Sequence, residues 1–293
     1  MASLKEIRTR IASVSSTRQI TNAMKMVSAS KLRKAQDAIL QMRPYANKLQ
    51  EILGSVSDAL SKDEGNIYLR EQEPEHILVV VITSNRGLCG AFNANVMRKV
   101  THLVFENYGD LMKKGNLHFF AIGKRGADYL KRKKYPVIGV RNDLFDGLNF
   151  KSAGMVGEDL IHKFLVREYD KIFLIYNQFK NAAVQILTTE QFLPLVIPET
   201  EEDSRTFHDY IFEPTKEYIV KELIPKSLKI QFYKSLLDSN ASENGARMTA
   251  MHQATDNATE LLRELRLHYN KARQASITKE LLEIVSGAEA LKG

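Results

Sequence analysis

The sequence predicts an α/β protein: a long antiparallel coiled coil of N- and C-terminal helices, plus a Rossmann-like α/β domain between them. Three observations carry this. Residues 3–60 repeat apolar side chains at heptad spacing, residues 76–188 alternate strand and helix patterns, and residues 215–291 run as helix formers with no turn cluster. The segments divide as 1–61 for the first helix, 75–209 for the α/β domain and 210–293 for the second helix.

In the first helix a frame through Leu4, Ile7, Ile11 and Val14 resumes at Leu32, Ala35, Ile39, Met42, Ala46 and Leu49. Alternating three- and four-residue spacing is the signature of a coiled-coil seam. Between the two halves the frame meets Arg18, Thr21, Lys25 and Ser28, with Ile20, Ala23, Met24 and Val27 beside it, so the stripe loosens and turns polar. Ser3 with Glu6 three residues later makes a capping box, and Pro44 is expected to kink the helix without ending it.

Polar residues 62–75, with Gly65 and Pro74, read as a linker. The run Ile77-Leu78-Val79-Val80-Val81-Ile82 is continuously apolar and β-branched, as a strand buried on both faces must be. A glycine-containing turn follows, then a helix over 93–108, a strand over 117–122, a helix over 124–133 and a strand over 136–140. Next come a helix over 153–167 and a strand over 171–176, which turns through 178–181 into a last strand over 183–188. Residues 198–209 form an acidic loop, and Tyr210-Ile211-Phe212-Glu213-Pro214 leads into the final helix.

That final helix is long. About 75 residues at 1.5 Å each span on the order of 110 Å. A compact globule of this chain length is only about 50 Å across. The helix is therefore expected to extend past its partner. Its seam follows Met251, Ala258, Leu262, Leu265, Tyr269 and Ala272, then slips by one residue and resumes at Ile277, Leu281, Ile284, Ala288 and Leu291, widened by Leu282 and Val285. One partner helix needs only a narrow stripe, so this broad arc predicts burial in a sleeve formed by another protein.

Composition excludes several function classes. At 293 residues and 44% hydrophobic content the chain can bury a core of one or two domains. The single cysteine, Cys89, excludes an internal disulfide and fits a reducing compartment. No apolar run is long enough to span a membrane as a helix, and the charged start Lys5-Glu6-Ile7-Arg8 is not a signal peptide. A bacterial cytosolic setting fits that start better than an organellar precursor. Net charge is +7, yet residues 1–50 alone carry ten basic and two acidic side chains, leaving −1 for the other 243. An acidic partner is therefore sought at the N-terminal segment.

No reaction chemistry stands out. The loop Ser84-Asn85-Arg86-Gly87-Leu88-Cys89-Gly90-Ala91 occupies the place of a phosphate loop, but it is neither G-x-G-x-x-G nor a P-loop, and reads as a tight structural turn. Cys89 has no histidine nearby in sequence, and the seven histidines show no ligand-spaced pair. The basic helix lacks the arginine clusters and stacking aromatics of nucleic-acid binding, so a protein partner is favoured.

The ends of the chain resemble a known family. Ile277-Thr278-Lys279-Glu280-Leu281-Leu282-Glu283-Ile284-Val285-Ser286-Gly287-Ala288-Glu289-Ala290, preceded by Asn270-Lys271-Ala272-Arg273-Gln274-Ala275-Ser276, is similar to the C-terminal signature of the gamma subunit of the rotary, F-type ATP synthase. Met248-Thr249-Ala250-Met251, Ile20-Thr21-Asn22-Ala23-Met24-Lys25-Met26-Val27 and Arg86-Gly87-Leu88-Cys89-Gly90 resemble it as well. The resemblance, to the bacterial type, covers the whole chain. It implies a non-catalytic rotor shaft without cofactors that couples proton-driven rotation to ATP synthesis or hydrolysis in the beta subunits. Implied partners are three alpha and three beta subunits, the epsilon subunit and the membrane c-ring, and the implied place is the cytoplasmic face of the bacterial inner membrane, peripherally. Carried over by position, Arg273, Gln274, Thr278, Glu280, Leu281, Ile284 and Val285 meet the enclosing subunits. Met24, Lys25 and Arg247 approach beta lower down, and Tyr210, Phe212 and Glu213 form a foot towards epsilon and the ring. With one cysteine, the redox control of chloroplast relatives is absent.

Overall fold

The computed structural model describes residues 4–61, 67–69, 73–195 and 216–290. The chain divides into two compact units, residues 1–28 with 248–293, and residues 29–247. Helix α1 spans Leu4–Ser61 and helix α6 spans Lys216–Ala290, and each contributes to both units. Pro44 and Pro225 lie inside these helices without ending them.

In the larger unit, β1 (Ile77–Ile82), β2 (Leu117–Ile122), β3 (Val137–Arg141), β4 (Lys171–Phe179) and β5 (Gln185–Leu193) form one sheet in the order β3-β2-β1-β4-β5. The first four are parallel, and β5 runs antiparallel to β4. Every residue of β1 is buried, as its unbroken apolar run requires. Alternate side chains supply two cores. Ile77, Val79 and Val81 pack with α2 (Phe92–Glu106) and α4 (Lys124–Arg132). Leu78, Val80 and Ile82 pack with α5 (Phe150–Leu165) and with Ile224, Leu228, Phe232 and Leu236 of α6. The part of α6 that belongs to this unit thus closes one face of the sheet.

Several boundaries differ from the sequence reading. The turn expected at 178–181 is later, because the β4–β5 ladder continues to Phe179 opposite Gln185, and Asn181 closes the reversal by accepting from the backbone N–H groups of Ala183 and Val184 at 3.0 and 2.7 Å. The polar residues of β5 are only partly buried, which masks its strand pattern. Helix α5 starts at Phe150 rather than 153, because Asn149 caps it by accepting from Ser152 N at 2.8 Å. A short helix α3 (Gly109–Lys114) follows α2, and the linker holds a 3-10 turn at Ile67–Leu69.

Close approach between α4 and β1 needs glycine at two places. Gly123 has φ +96°, and a Cβ there would collide with the carbonyl oxygen of Thr83. Gly126 donates its N–H to Thr83 Oγ1 at 2.8 Å from one turn further on. Gly123→Ala is expected to destabilise this unit by at least about 2 kcal/mol in urea unfolding, since both the backbone angle and the contact are strained. A loss under about 0.5 kcal/mol would contradict that packing.

Candidate functional site: the terminal helices and the loop at residues 84–91

In the smaller unit the stripe of α1 that turns inward is the heptad frame itself. Leu4, Ile7, Ile11, Val14, Arg18 and Lys25 are partly buried and Thr21 and Ser28 are buried, whereas Ile20, Met26 and Val27 stay exposed. The polar stretch is therefore still seam. Thr255 of α6 donates its hydroxyl to Thr21 Oγ1 at 2.9 Å, and Ser28 satisfies itself on the Met24 carbonyl at 2.8 Å. Burying hydroxyls only in bonded positions gives this pairing one preferred register, as polar core residues do in coiled coils. On α6 the buried positions are Met251, Ala258, Leu262 and Leu265, and Tyr269 and Ala272 are half-buried.

Beyond Ser276 the pattern ends. Every described residue from 277 to 290 is exposed, with Ile277, Leu281, Leu282, Ile284 and Val285 between 50% and 67%. At 100° per residue these five span an arc of about 160°, opposite Lys279, Glu280 and Glu283. Arg273, Gln274 and Thr278 are exposed on the same segment, and Glu280 accepts from Ser276 Oγ at 3.4 Å. The structure so gathers the upper carried-over residues on one helix end. It leaves Met24 and Lys25 half-buried on α1. Tyr210, Phe212 and Glu213 lie outside the described residues.

Arg247 is different. It sits in the larger unit with its guanidinium turned inward, 11% exposed, paired at 2.7 Å with Glu243, 12% exposed. It also donates to the carbonyls of Arg86 and Gly87 at 3.3 and 3.4 Å. Burial pushes the Glu243 carboxyl up, countered by Arg247, Lys31 and Arg86. The loop it holds is also braced from within by Ser84 and Asn93. Ser84 N donates to Asn93 Oδ1 at 3.0 Å, Ser84 Oγ to the Arg86 carbonyl at 2.6 Å, and Asn93 Nδ2 to Cys89 Sγ at 3.2 Å. Gly90 takes φ +57° and Leu88 φ +62° to close the turn. The Arg125 guanidinium lies over Gly87, where a Cβ would meet it at 2.7 Å. The Ser84 and Asn93 side chains, the polar ones at the base of the loop, are thus committed to the loop itself. Burial also raises the Cys89 thiol, the wrong direction for a nucleophile.

A second buried polar group escaped the sequence reading. Asp238 of α6, 5% exposed, lies in the larger unit near Glu190 of β5, which accepts from Tyr176 Oη at 2.7 Å and Gln231 Nε2 at 2.8 Å. Burial pushes Asp238 up to about 6, against the pull of Lys234, the Phe179 N–H and Arg43. A folded-state carboxyl raised above its unfolded value holds a proton that the unfolded chain has lost. Stability therefore falls as pH rises from about 4 to about 6, by about 2–3 kcal/mol, and is flat below that window. Asp238→Asn is expected to flatten this slope in urea unfolding at stepped pH; an unchanged slope would show that Asp238 is not its source. Only the unbroken helix pattern around it, with Ser235, Ser239 and Ser242 also buried, hinted at a polar helix face.

The charge map gains a second basic region. Residues 98–134 carry ten basic and three acidic side chains, hidden in the near-zero balance of the chain outside residues 1–50. Among the described residues no group of His, Cys, Asp and Glu is placed to hold a metal ion, and no helix is long and apolar enough to cross a membrane.

Paired terminal helices, a five-stranded sheet domain and an exposed apolar helix end define a helix-presenting protein. The comparisons agree. A family model described as "ATP synthase" matches residues 3–291. The ATP synthase gamma chain of Flavobacterium johnsoniae is 59% identical over 293 residues, covering 100% of both chains, and that of Chlorobium phaeobacteroides is 46% identical over the full length of both. A chain of the Tetrahymena thermophila mitochondrial ATP synthase central stalk and c-ring structure superposes with TM-score 0.59 at 26% identity, over 80% of this chain and 99% of that one. One from the Euglena gracilis enzyme gives TM-score 0.67 at 22% identity, over 98% and 94%. The chain belongs to the ATP synthase gamma-chain family. Its role is that of the non-catalytic central shaft of the rotary head, with catalysis carried out by other subunits.

Proposed function

We propose that residues 273–291 enter an apolar sleeve formed by three alpha and three beta subunits, and that the α/β domain sits with the epsilon subunit on the membrane c-ring. The observation that carries the sleeve is the exposed apolar arc of Ile277, Leu281, Leu282, Ile284 and Val285, which no other described residue covers. An apolar end in an apolar sleeve gives contact without directional bonds that must break at each step. Arg273, Gln274, Thr278 and Glu280 meet the inward loops of beta, where exposed pairs contribute only about 0–1 kcal/mol and attract without locking. Met24 and Lys25 face beta lower down. Arg247 acts there through the loop 86–90 that it holds, because its own guanidinium is engaged.

On this reading the chain works in three segments, 1–61 and 210–293 as shaft and 75–209 as the domain below, with Tyr210, Phe212 and Glu213 as the foot towards epsilon and the ring. Proton flow through the ring turns the shaft, and its asymmetry makes the three beta sites differ. The protein is held at the cytoplasmic face of the bacterial inner membrane through the complex, and it binds no nucleic acid and no cofactor. The test is co-purification. A tagged chain is expected to bring down alpha and beta subunits with ATPase activity, and a tagged chain recovered without them would remove the proposal.

A further inference from the structure

The basic region at residues 98–134 has a defined place in the sheet domain. Helices α2 and α4 cross between parallel strands, so each runs back against the strand direction and ends where the next strand begins. Lys113 and Lys114 end α3 just before β2, and Lys131-Arg132-Lys133-Lys134 end α4 just before β3. The register Phe119↔Val137 makes β2 and β3 neighbours, so both groups share the edge of the sheet where the strands start. All six side chains are exposed. Lys113 meets Asp110 at 3.3 Å and Arg132 lies over the Tyr129 ring, but Lys114, Lys131, Lys133 and Lys134 have no acidic partner among the described residues. Cations at helix ends complement the helix dipole, which explains one or two of them and not a run of four.

One more side chain marks this rim. Phe105, at the end of α2, is 82% exposed, the largest value among the exposed apolar residues of the described chain. An aromatic ring left in water at the same end of the sheet as clustered lysines matches a lipid bilayer surface, which takes the cations at its phosphates and the ring at the boundary of headgroups and acyl chains. A nucleic-acid duplex would take the lysines at its phosphates, but its bases are stacked on one another and offer the ring no face.

We propose that this rim, Lys113, Lys114 and residues 131–134 with Phe105, is a binding surface for the anionic headgroups of a lipid bilayer. It would hold the sheet domain close to the membrane directly, in addition to any attachment through a complex. The inference stands on this face alone and does not require the shaft reading.

The full-length chain is mixed with phosphatidylcholine vesicles containing about one-third phosphatidylglycerol, or none, and pelleted at about 0.1 M salt. Binding is expected only to the anionic vesicles and is lost in high salt. Changing Lys113, Lys114, Lys131, Lys133 and Lys134 to Gln is expected to weaken it at least about thirtyfold, and Phe105→Ser about fivefold. Thermal midpoints equal to wild type show that these exposed changes leave the fold intact. A control, Lys5→Gln with Arg8→Gln and Arg10→Gln, tests the basic N-terminal segment and is expected to change binding less than about twofold. Equal binding to both vesicle types, a rim variant within about threefold of wild type, or loss confined to the N-terminal variant would each overturn the proposal. So would a rim variant that loses only binding to a DNA duplex.

Discussion

Arg247→Ala is expected to cost the 29–247 unit about 3 kcal/mol at neutral pH, a loss on the scale of emptying a core position although the side chain is charged. The reason is what it leaves behind. Glu243 is 12% exposed, and its carboxylate is already held above its usual range by burial, with Arg247 the first of the charges opposing that. Without the guanidinium, a buried anion and two loop carbonyls lose their partner together. The sign with pH follows. A carboxyl whose folded value is raised is penalised above that value and relieved by protonation, so the loss shrinks as pH falls. Urea unfolding of Arg247→Ala at pH 8 and pH 5 checks this, and Arg247→Ala with Glu243→Gln should recover most of the loss at neutral pH. A loss under about 1 kcal/mol, or one that ignores pH, would show that the pair is not holding the loop.

Truncation after Ser276 should have the opposite profile. Every described residue beyond it is exposed, so the isolated chain should keep its thermal midpoint within about 2 °C. Affinity for the alpha–beta head should nevertheless fall at least about a hundredfold, or about 3 kcal/mol, well under half of the roughly 7.5–15 kcal/mol that fully burying five large apolar side chains supplies. ATPase measured across a titration of head with truncated chain reads this directly. A truncated chain that binds and couples as the full one does would refute the sleeve, whereas one that melts early would show that the tip packs on its own chain.

Much of this was legible in the residues. The heptad frame named the inward stripe of α1 position by position, even through Thr21 and Ser28, because seam geometry constrains spacing more tightly than side-chain type. The apolar run 77–82 fixed the central strand for the same reason: a strand buried on both faces tolerates nothing else. What stayed hidden depended on neighbours far apart in sequence. Arg247 reads as a free cation until the loop 86–90, some 160 positions earlier, is seen beneath it. Asp238 reads as an ordinary helix-surface acid until β5 and the Phe179 N–H are placed beside it. The basic rim was visible as Lys131-Arg132-Lys133-Lys134, but a net charge near zero over the rest of the chain concealed it. Charge sums average over faces, and binding does not.

The central claim is that this chain turns inside a catalytic head. Its one native thiol, Cys89, is buried, so a cysteine placed at exposed Asn107 can carry a probe selectively. With the head fixed to a surface and a bead on that cysteine, ATP should drive rotation in one direction, stopping when ATP is withdrawn. A bead that stays still while the same fixed complexes hydrolyse ATP at their full rate would contradict the account.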